Sequence, residues 1–216
     1  MAATLFYLVR NPHALALVTA EIRSQFASVE DIHSGPALTS CSYLRACIDE
    51  AMRLSPSVGG LLPREVLAGG ITIDGEQIPA GTVIGVPHYT IHHNAAYYPE
   101  PFKYVPERWI ANKSEKASAG VFTEDDVAVA HSAFCPFSIG PRGCIGKGLA
   151  YIEMSITLAR VLYLYDMRRA PGVVDPGEGV AGAEYGRHRH DEFQLIDIFT
   201  SMKDGPMVEF RKRQDL

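Results

Sequence analysis

Phe137-Ser138-Ile139-Gly140-Pro141-Arg142-Gly143-Cys144-Ile145-Gly146 is a glycine-punctuated loop that runs directly into an apolar-periodic stretch. It presents one cysteine beside an arginine and next to the free backbone N–H groups of a helix start, a setting that stabilises a thiolate. Gly140 and Gly146 let backbone approach a flat ligand closely, and Arg142 offers a fork for a carboxylate. N–H groups at the helix start can hydrogen-bond the sulfur and temper its electron donation. A lone cysteine in a turn reads more readily as a buried free thiol. The pattern around Cys144 reverses that weighting.

Downstream, Gly146 to Tyr165 reads as the strongest helix of the chain, with Leu149, Ile152, Ile156, Ala159 and Tyr163 on a recurrent face. Its N-terminus is a site candidate because unpaired N–H groups gather there. The tail holds a Gly/Pro loop at 171–182, an apolar segment from Phe193 to Thr200, the turn Asp204-Gly205-Pro206 and the run Met207 to Phe210, which together predict a terminal hairpin. Upstream, residues 88–140 are rich in turn formers, with a Lys/Ser/Ala-rich patch at 111–120, and read as a long working loop. Before it, Ile71-Thr72-Ile73, the turn Asp74-Gly75, Gln77-Ile78 and Thr82 to Val86 predict a small sheet built from hairpins.

The first 55 residues read as helical. Met1 to Arg10 ends one helix, Asn11 and Pro12 open a second that runs to about Ser28, and Thr39 or Ser40 caps a third through Leu54, with Leu44, Ile48 and Met52 as its stripe. Ser55-Pro56 ends it. The predicted fold is mainly α with a small antiparallel β-sheet, in a single domain over 1–216.

A chain of 216 residues that is 47% hydrophobic and 21% charged can bury a core. Its formal charge of −5, with basic residues scattered, gives nucleic acid nothing to hold. The four cysteines (Cys41, Cys47, Cys135 and Cys144) form no Cys-x-x-Cys pair and are too sparse for a disulfide scaffold, which fits a reducing compartment. The opening run, Met1 to Val9, has neither a basic flank nor a cleavage site and is far short of a bilayer span. The expectation is a soluble, cytoplasmic chain without a membrane anchor. His188 and His190 lack a third ligand at metal spacing and read as surface, and no Gly-x-Ser-x-Gly elbow supports a hydrolase.

The loop at 137–146 matches in full the pattern Phe-x-x-Gly-x-Arg-x-Cys-x-Gly and so resembles the heme-binding loop of the cytochrome P-450 monooxygenases. Two more segments carry the resemblance. Glu50-Ala51-Met52-Arg53 is similar to that family's Glu-x-x-Arg, and Pro106-Glu107-Arg108-Trp109 to its Pro-Glu-Arg-Phe. The wording of the loop and tail is most like filamentous-fungal members of secondary metabolism.

The resemblance implies heme b held by the Cys144 thiolate as axial iron ligand, with Arg142 at a heme propionate and Phe137 packed beside the loop. It also implies a buried structural network of Glu50, Arg53 and Arg108. Arg64, in Leu62-Pro63-Arg64, sits where the family often places another propionate-binding arginine. His92, in Tyr89-Thr90-Ile91-His92, sits in the family's common histidine position; it and His88 read as histidines bonded to backbone or to a propionate. The implied reaction inserts one oxygen atom of dioxygen into a small organic substrate, with electrons from an NADPH-dependent reductase docking near the thiolate face. Full-length members reside at the endoplasmic-reticulum membrane.

The resemblance covers the family's C-terminal part only, so a truncated chain is expected. The acid–alcohol pair that protonates bound oxygen belongs upstream, Thr4 is a poor substitute for its alcohol, and no residue is assigned a catalytic role. Helices that normally cover the heme would be absent, leaving apolar faces on 40–54 and 146–165 exposed. A non-catalytic remnant that binds heme weakly or acts as an interaction module is the alternative reading. A scaffold without heme would require three ordered motifs to be coincidence.

Overall fold

The computed structural model describes residues 1–112 and 121–214. Two helices, α1 (Ala2–Arg10) and α2 (Pro12–Gln25), meet at Asn11-Pro12 as the sequence predicts. Proline suits the first helical position because its missing N–H has no partner there. Asn11 makes no side-chain bond to α2. Its amide instead donates to the Tyr7 carbonyl at 2.7 Å and so closes α1. A short turn, α3 (Pro36–Thr39), takes up Thr39, and α4 (Ser42–Leu54) begins after Cys41 with no side-chain cap of its own. Glu21 on α2 replaces the expected Thr39 or Ser40 cap. Its carboxylate accepts from the N–H groups of Tyr43 at 2.9 Å and Leu44 at 2.8 Å, putting an anion at the positive end of α4.

The β-branched stretch forms two separate ladders rather than one sheet. β1 (Arg64–Glu65) pairs with a strand further along the chain, while β2 (Ile71–Ile73) and β3 (Glu76–Ile78) make a hairpin. Asp74 and Gly75 both take positive φ, the requirement of the tight turn read from the sequence. β4 (Val83–Ile84) closes the first ladder, with Arg64 opposite Ile84.

The region predicted as a long loop contains more order than its composition suggested. α5 (His88–His92), a 3₁₀ turn at Pro106–Trp109 and α6 (Glu124–Ser132) lie within it. Thr123 and Asp126 form a capping box at the start of α6, a signal legible in the sequence. Most of the Lys/Ser/Ala-rich patch, 113–120, lies outside the described residues.

α7 (Lys147–Leu164) confirms the strongest predicted helix, and Ala159, Tyr163 and the half-buried Ile156 of its expected face pack on the core, but the N-terminal end of that face does not. Tyr151, Leu158, Ala159, Leu162 and Tyr163 are buried, whereas Leu149 and Ile152 are exposed. β5 (Tyr165–Arg169) follows without a break. β6 (Ile196–Ile198) and β7 (Thr200–Met202) form a tight hairpin around Phe199. β8 (Val208–Lys212) does not pair with them. It returns to β5, with Tyr165 opposite Lys212 and Arg169 opposite Val208, so the predicted terminal hairpin is replaced by a long-range ladder. Short-range turn signals cannot reveal a partner some 40 residues away in sequence.

α4 is the centre of the core. It is buried from Leu44 to Leu54 except at Arg45, and α1, α2, α7 and the Pro106–Trp109 turn pack around it. The apolar face expected to lie open on 40–54 is therefore covered. Leu44 and Ile48 join Ile22, Leu158 and Leu162 in one cluster, each such burial being worth about 1.5–3 kcal/mol.

Candidate cofactor-binding site

Glu50 and Arg53 stand one turn apart on α4 and so share a face. Both are fully buried, as is Arg108 from the 3₁₀ turn. Glu50 Oε1 accepts from Arg53 at 2.9 Å, from Arg108 Nε at 3.0 Å and from the Val105 N–H at 3.0 Å. Oε2 accepts from Arg53 Nε at 2.9 Å and from the Trp109 indole N–H at 3.0 Å. Burial alone would raise the Glu50 pKa, but the two guanidinium groups and these donors outweigh it and hold the carboxylate below its ordinary value. Arg53 spends its remaining donors on the carbonyls of His92, Pro101 and Lys103. The expected three-residue network exists, and Trp109 is a member that the motif comparison missed although it directly follows Arg108.

The Cys144 loop is pinned at several points. Ser138 donates its N–H to the Cys135 carbonyl at 2.9 Å, Gly143 to Gly140 at 3.0 Å, and Cys144 to Phe137 at 2.9 Å. Gly140 adopts φ +71°, a left-handed conformation that accounts for glycine there. Gly146 has ordinary backbone and caps α7, and a Cβ on it would meet Cys144 Sγ at 3.8 Å, an ordinary contact distance. The Phe137 ring packs on Tyr151 with centroids 5.3 Å apart, and the Tyr151 hydroxyl donates to Asp49 of α4 at 2.7 Å. Cys144 itself is exposed at the head of α7, next to Ile145, which is wholly exposed.

Beside this loop lies a cavity of about 600 Å³. Arg142 and Arg64 supply its cations, while Leu62, Ile84, Val86 and Ile139 supply apolar wall. The structure thus brings together two of the predicted site residues, Arg64 and Arg142, from strands and a loop 78 residues apart. Phe137, Gly140, Cys144 and Gly146 share the adjoining loop without lining that cavity. His92 is not on the wall. It is fully buried behind it, with Nε2 accepting the Cys135 N–H at 3.0 Å. His88 reaches the wall instead.

The cytochrome P450 family model matches residues 1–178. The chain belongs to the cytochrome P450 family. Among relatives, it is 46% identical over 213 residues to cytochrome P450 monooxygenase AKT7 of Alternaria alternata, covering 98% of this chain and 40% of that protein. It is 46% identical over 214 residues to a cytochrome P450 monooxygenase of Gibberella zeae, covering 99% of this chain and 46% of the relative. Cytochrome P450 monooxygenase apf8 of Gibberella fujikuroi is 44% identical over 217 residues, with 99% and 55% covered. The chain spans about half the length of these fungal relatives, and its mainly α fold with small antiparallel pairs agrees with the C-terminal part of the P450 fold.

Membership in the P450 family implies heme as cofactor, and the residues present suit it. A cavity of this size falls in the range of about 300–1,000 Å³ usual for ligands. Its mostly apolar wall carries two guanidinium groups able to meet carboxylates, and an accessible thiol stands in the adjoining loop just before α7. Thr4 is buried in α1. His188 and His190 are exposed as expected, although His190 also pairs with Glu178 at 3.3 Å. No described helix is long and apolar enough to cross a membrane.

Proposed function

We propose that this P450 chain holds heme through the Cys144 thiolate and forms the heme-carrying part of a monooxygenase acting on a small organic substrate. The observation that carries this reading is the Cys144 loop at the head of α7, pinned from Phe137 and lying beside a cavity with two arginines in an apolar wall. Heme, when bound, supplies the iron on which dioxygen is activated so that one oxygen atom enters the substrate and the other leaves as water.

The residues of the chain have separable tasks. Cys144 is the anionic ligand, since the thiolate rather than the thiol binds metal. The bond from its own N–H to Phe137 fixes the turn that presents the sulfur. Arg64 and Arg142, both on the cavity wall, would hold the carboxylates of the cofactor and neutralise their charge. Apolar wall residues exclude water from the remaining surface. Glu50, Arg53, Arg108 and Trp109 touch no cofactor; they keep the segments that carry the wall in place. We assign 1–216 as one partial P450 domain, with a reductase delivering electrons from NADPH at the exposed Cys144 face.

The test is the reduced carbon-monoxide difference spectrum of the 216-residue chain supplied with heme, beside Cys144→Ala. A red-shifted Soret band in the parent that the variant lacks is the expected outcome. Soluble parent protein without that band would sink the reading.

A further inference from the structure

His92 joins the buried ion cluster to the cofactor loop. Its backbone carbonyl accepts from Arg53 Nη1 at 2.7 Å, and its ring Nε2 accepts the Cys135 N–H at 3.0 Å. The residue is fully buried and its ring tilts against Phe134, centroids 5.5 Å apart, so it has no freedom to turn away. Accepting an N–H requires a lone pair on Nε2, which places the ring proton on Nδ1. Nδ1 has no hydrogen-bond partner among the described residues. The ring therefore spends its single acceptor on Cys135, whose N–H donates to it and whose Sγ also lies 3.7 Å from Nε2, while an unsatisfied donor is tolerated. Cys135 in turn holds Ser138 through its carbonyl, and Phe137, directly before Ser138, holds the Cys144 N–H.

Resting on the reading of Cys144 as the heme ligand, we propose that His92 is a positioning residue, which sets the start of the cofactor loop by gripping Cys135 from the Glu50–Arg53 cluster without touching the cofactor itself. The chain of contacts is continuous: Glu50 orients Arg53, Arg53 fixes the His92 backbone, and the His92 ring fixes the Cys135 amide nine residues before Cys144. Burial, reinforced by the positive charges of His88, Arg53 and His93, pushes the His92 pKa down to about 3, which keeps Nε2 available as acceptor at neutral pH.

The experiment compares the full chain with His92→Phe, which keeps a flat ring but loses the acceptor, and His92→Gln, whose amide oxygen can replace Nε2. Amide hydrogen exchange at Cys135 should speed up about tenfold or more in H92F, the loss expected when a buried N–H loses its acceptor. Exchange at Ser55, bonded to Ala51 at the end of α4, should not change, and H92Q should restore the Cys135 protection. In samples supplied with heme, H92F should show a smaller share of the Cys144-dependent Soret band at equal heme content, with recovery in H92Q. Unchanged Cys135 exchange in H92F overturns the proposal. Should H92F fail to fold, ¹⁵N spectra of the parent decide: protonated Nδ1 with bare Nε2 supports the grip, and protonated Nε2 overturns it. A parent with a protected Cys135 amide but no Cys144-dependent band overturns the heme reading, and with it the positioning role.

Discussion

Two of the ion clusters among the described residues are built differently. In the first, around Glu50, the carboxylate meets two guanidinium groups and every side chain is sealed from water. In the second, Arg10 at the end of α1 pairs with Asp175 at 3.0 Å and Glu178 at 2.8 Å, while Arg169 on β5 reaches Glu178 from a partly open position, 37% exposed. Asp175 also accepts the N–H groups of Gly177 and Met207, and a Cβ on Gly205 would come within 2.4 Å of it. The first cluster carries a net positive charge with five hydrogen bonds on one carboxylate, so losing its single anion strands two buried cations. The second has more than one carboxylate and a solvent-facing edge, so it can lose a member and relax. A sealed cluster is brittle and positions what it touches; an open one fastens the tail and tolerates change.

The largest effect expected from this contrast is at Glu50. Glu50→Gln leaves Arg53 and Arg108 uncompensated and should cost about 3–5 kcal/mol, measured by denaturant unfolding, with the chain close to its stability limit. Acidification comes next. His92 has its folded pKa pushed far below the unfolded value of about 6.5, so the unfolded state takes up the proton first. Stability should therefore be full above about pH 6.5 and fall as pH drops toward 3, by about 2 kcal/mol from this group at pH 5. His93, lowered to about 4 mainly by burial, adds to the same slope. A urea midpoint that stays flat from pH 7 to 5 would contradict this, and His92→Gln should reduce the slope in the wild-type curve.

In the open cluster, Asp175→Asn should cost less, about 1.5 kcal/mol, because Glu178 remains on Arg10. Arg169→Ala should be the mildest, within about 0–1 kcal/mol, since part of its charge already faces solvent. Unfolding midpoints for the two variants that ranked in the opposite order, or an Asp175 variant as damaging as Glu50→Gln, would break the distinction between the clusters.

Legibility in the sequence followed the same division. Glu50, Arg53 and Arg108 were readable because each lies in a short pattern of fixed spacing, and the loop from Phe137 to Gly146 was readable because glycine, arginine and cysteine stand at fixed intervals within one turn. The partners of Arg10 were not, since Asp175 and Glu178 are 165 and 168 residues away in an irregular loop. α6 was missed although Thr123 and Asp126 announce it, because the surrounding prolines and glycines outweighed one capping signal. The α7 stripe was right at Ile156, Ala159 and Tyr163 and wrong at Leu149 and Ile152 for a different reason: the helix is apolar on several sides, so period alone could not say which of its first turns faces the core.

Local order and chemistry were already determined by the amino-acid sequence: the breaks at Asn11-Pro12 and Ser55-Pro56, the Asp74-Gly75 turn, the thiol at the head of a helix, and the charged trio. These depend on backbone preferences and on residues a few positions apart, where covalent geometry does the selecting. Tertiary structure alone decided that Glu21 caps α4, that β8 pairs with β5, that Arg64 and Arg142 face one cavity, and that His92 stands behind its wall holding Cys135. Each of those outcomes requires closing a long loop and burying polar groups against partners that meet only when the core has formed, so no local signal specifies them.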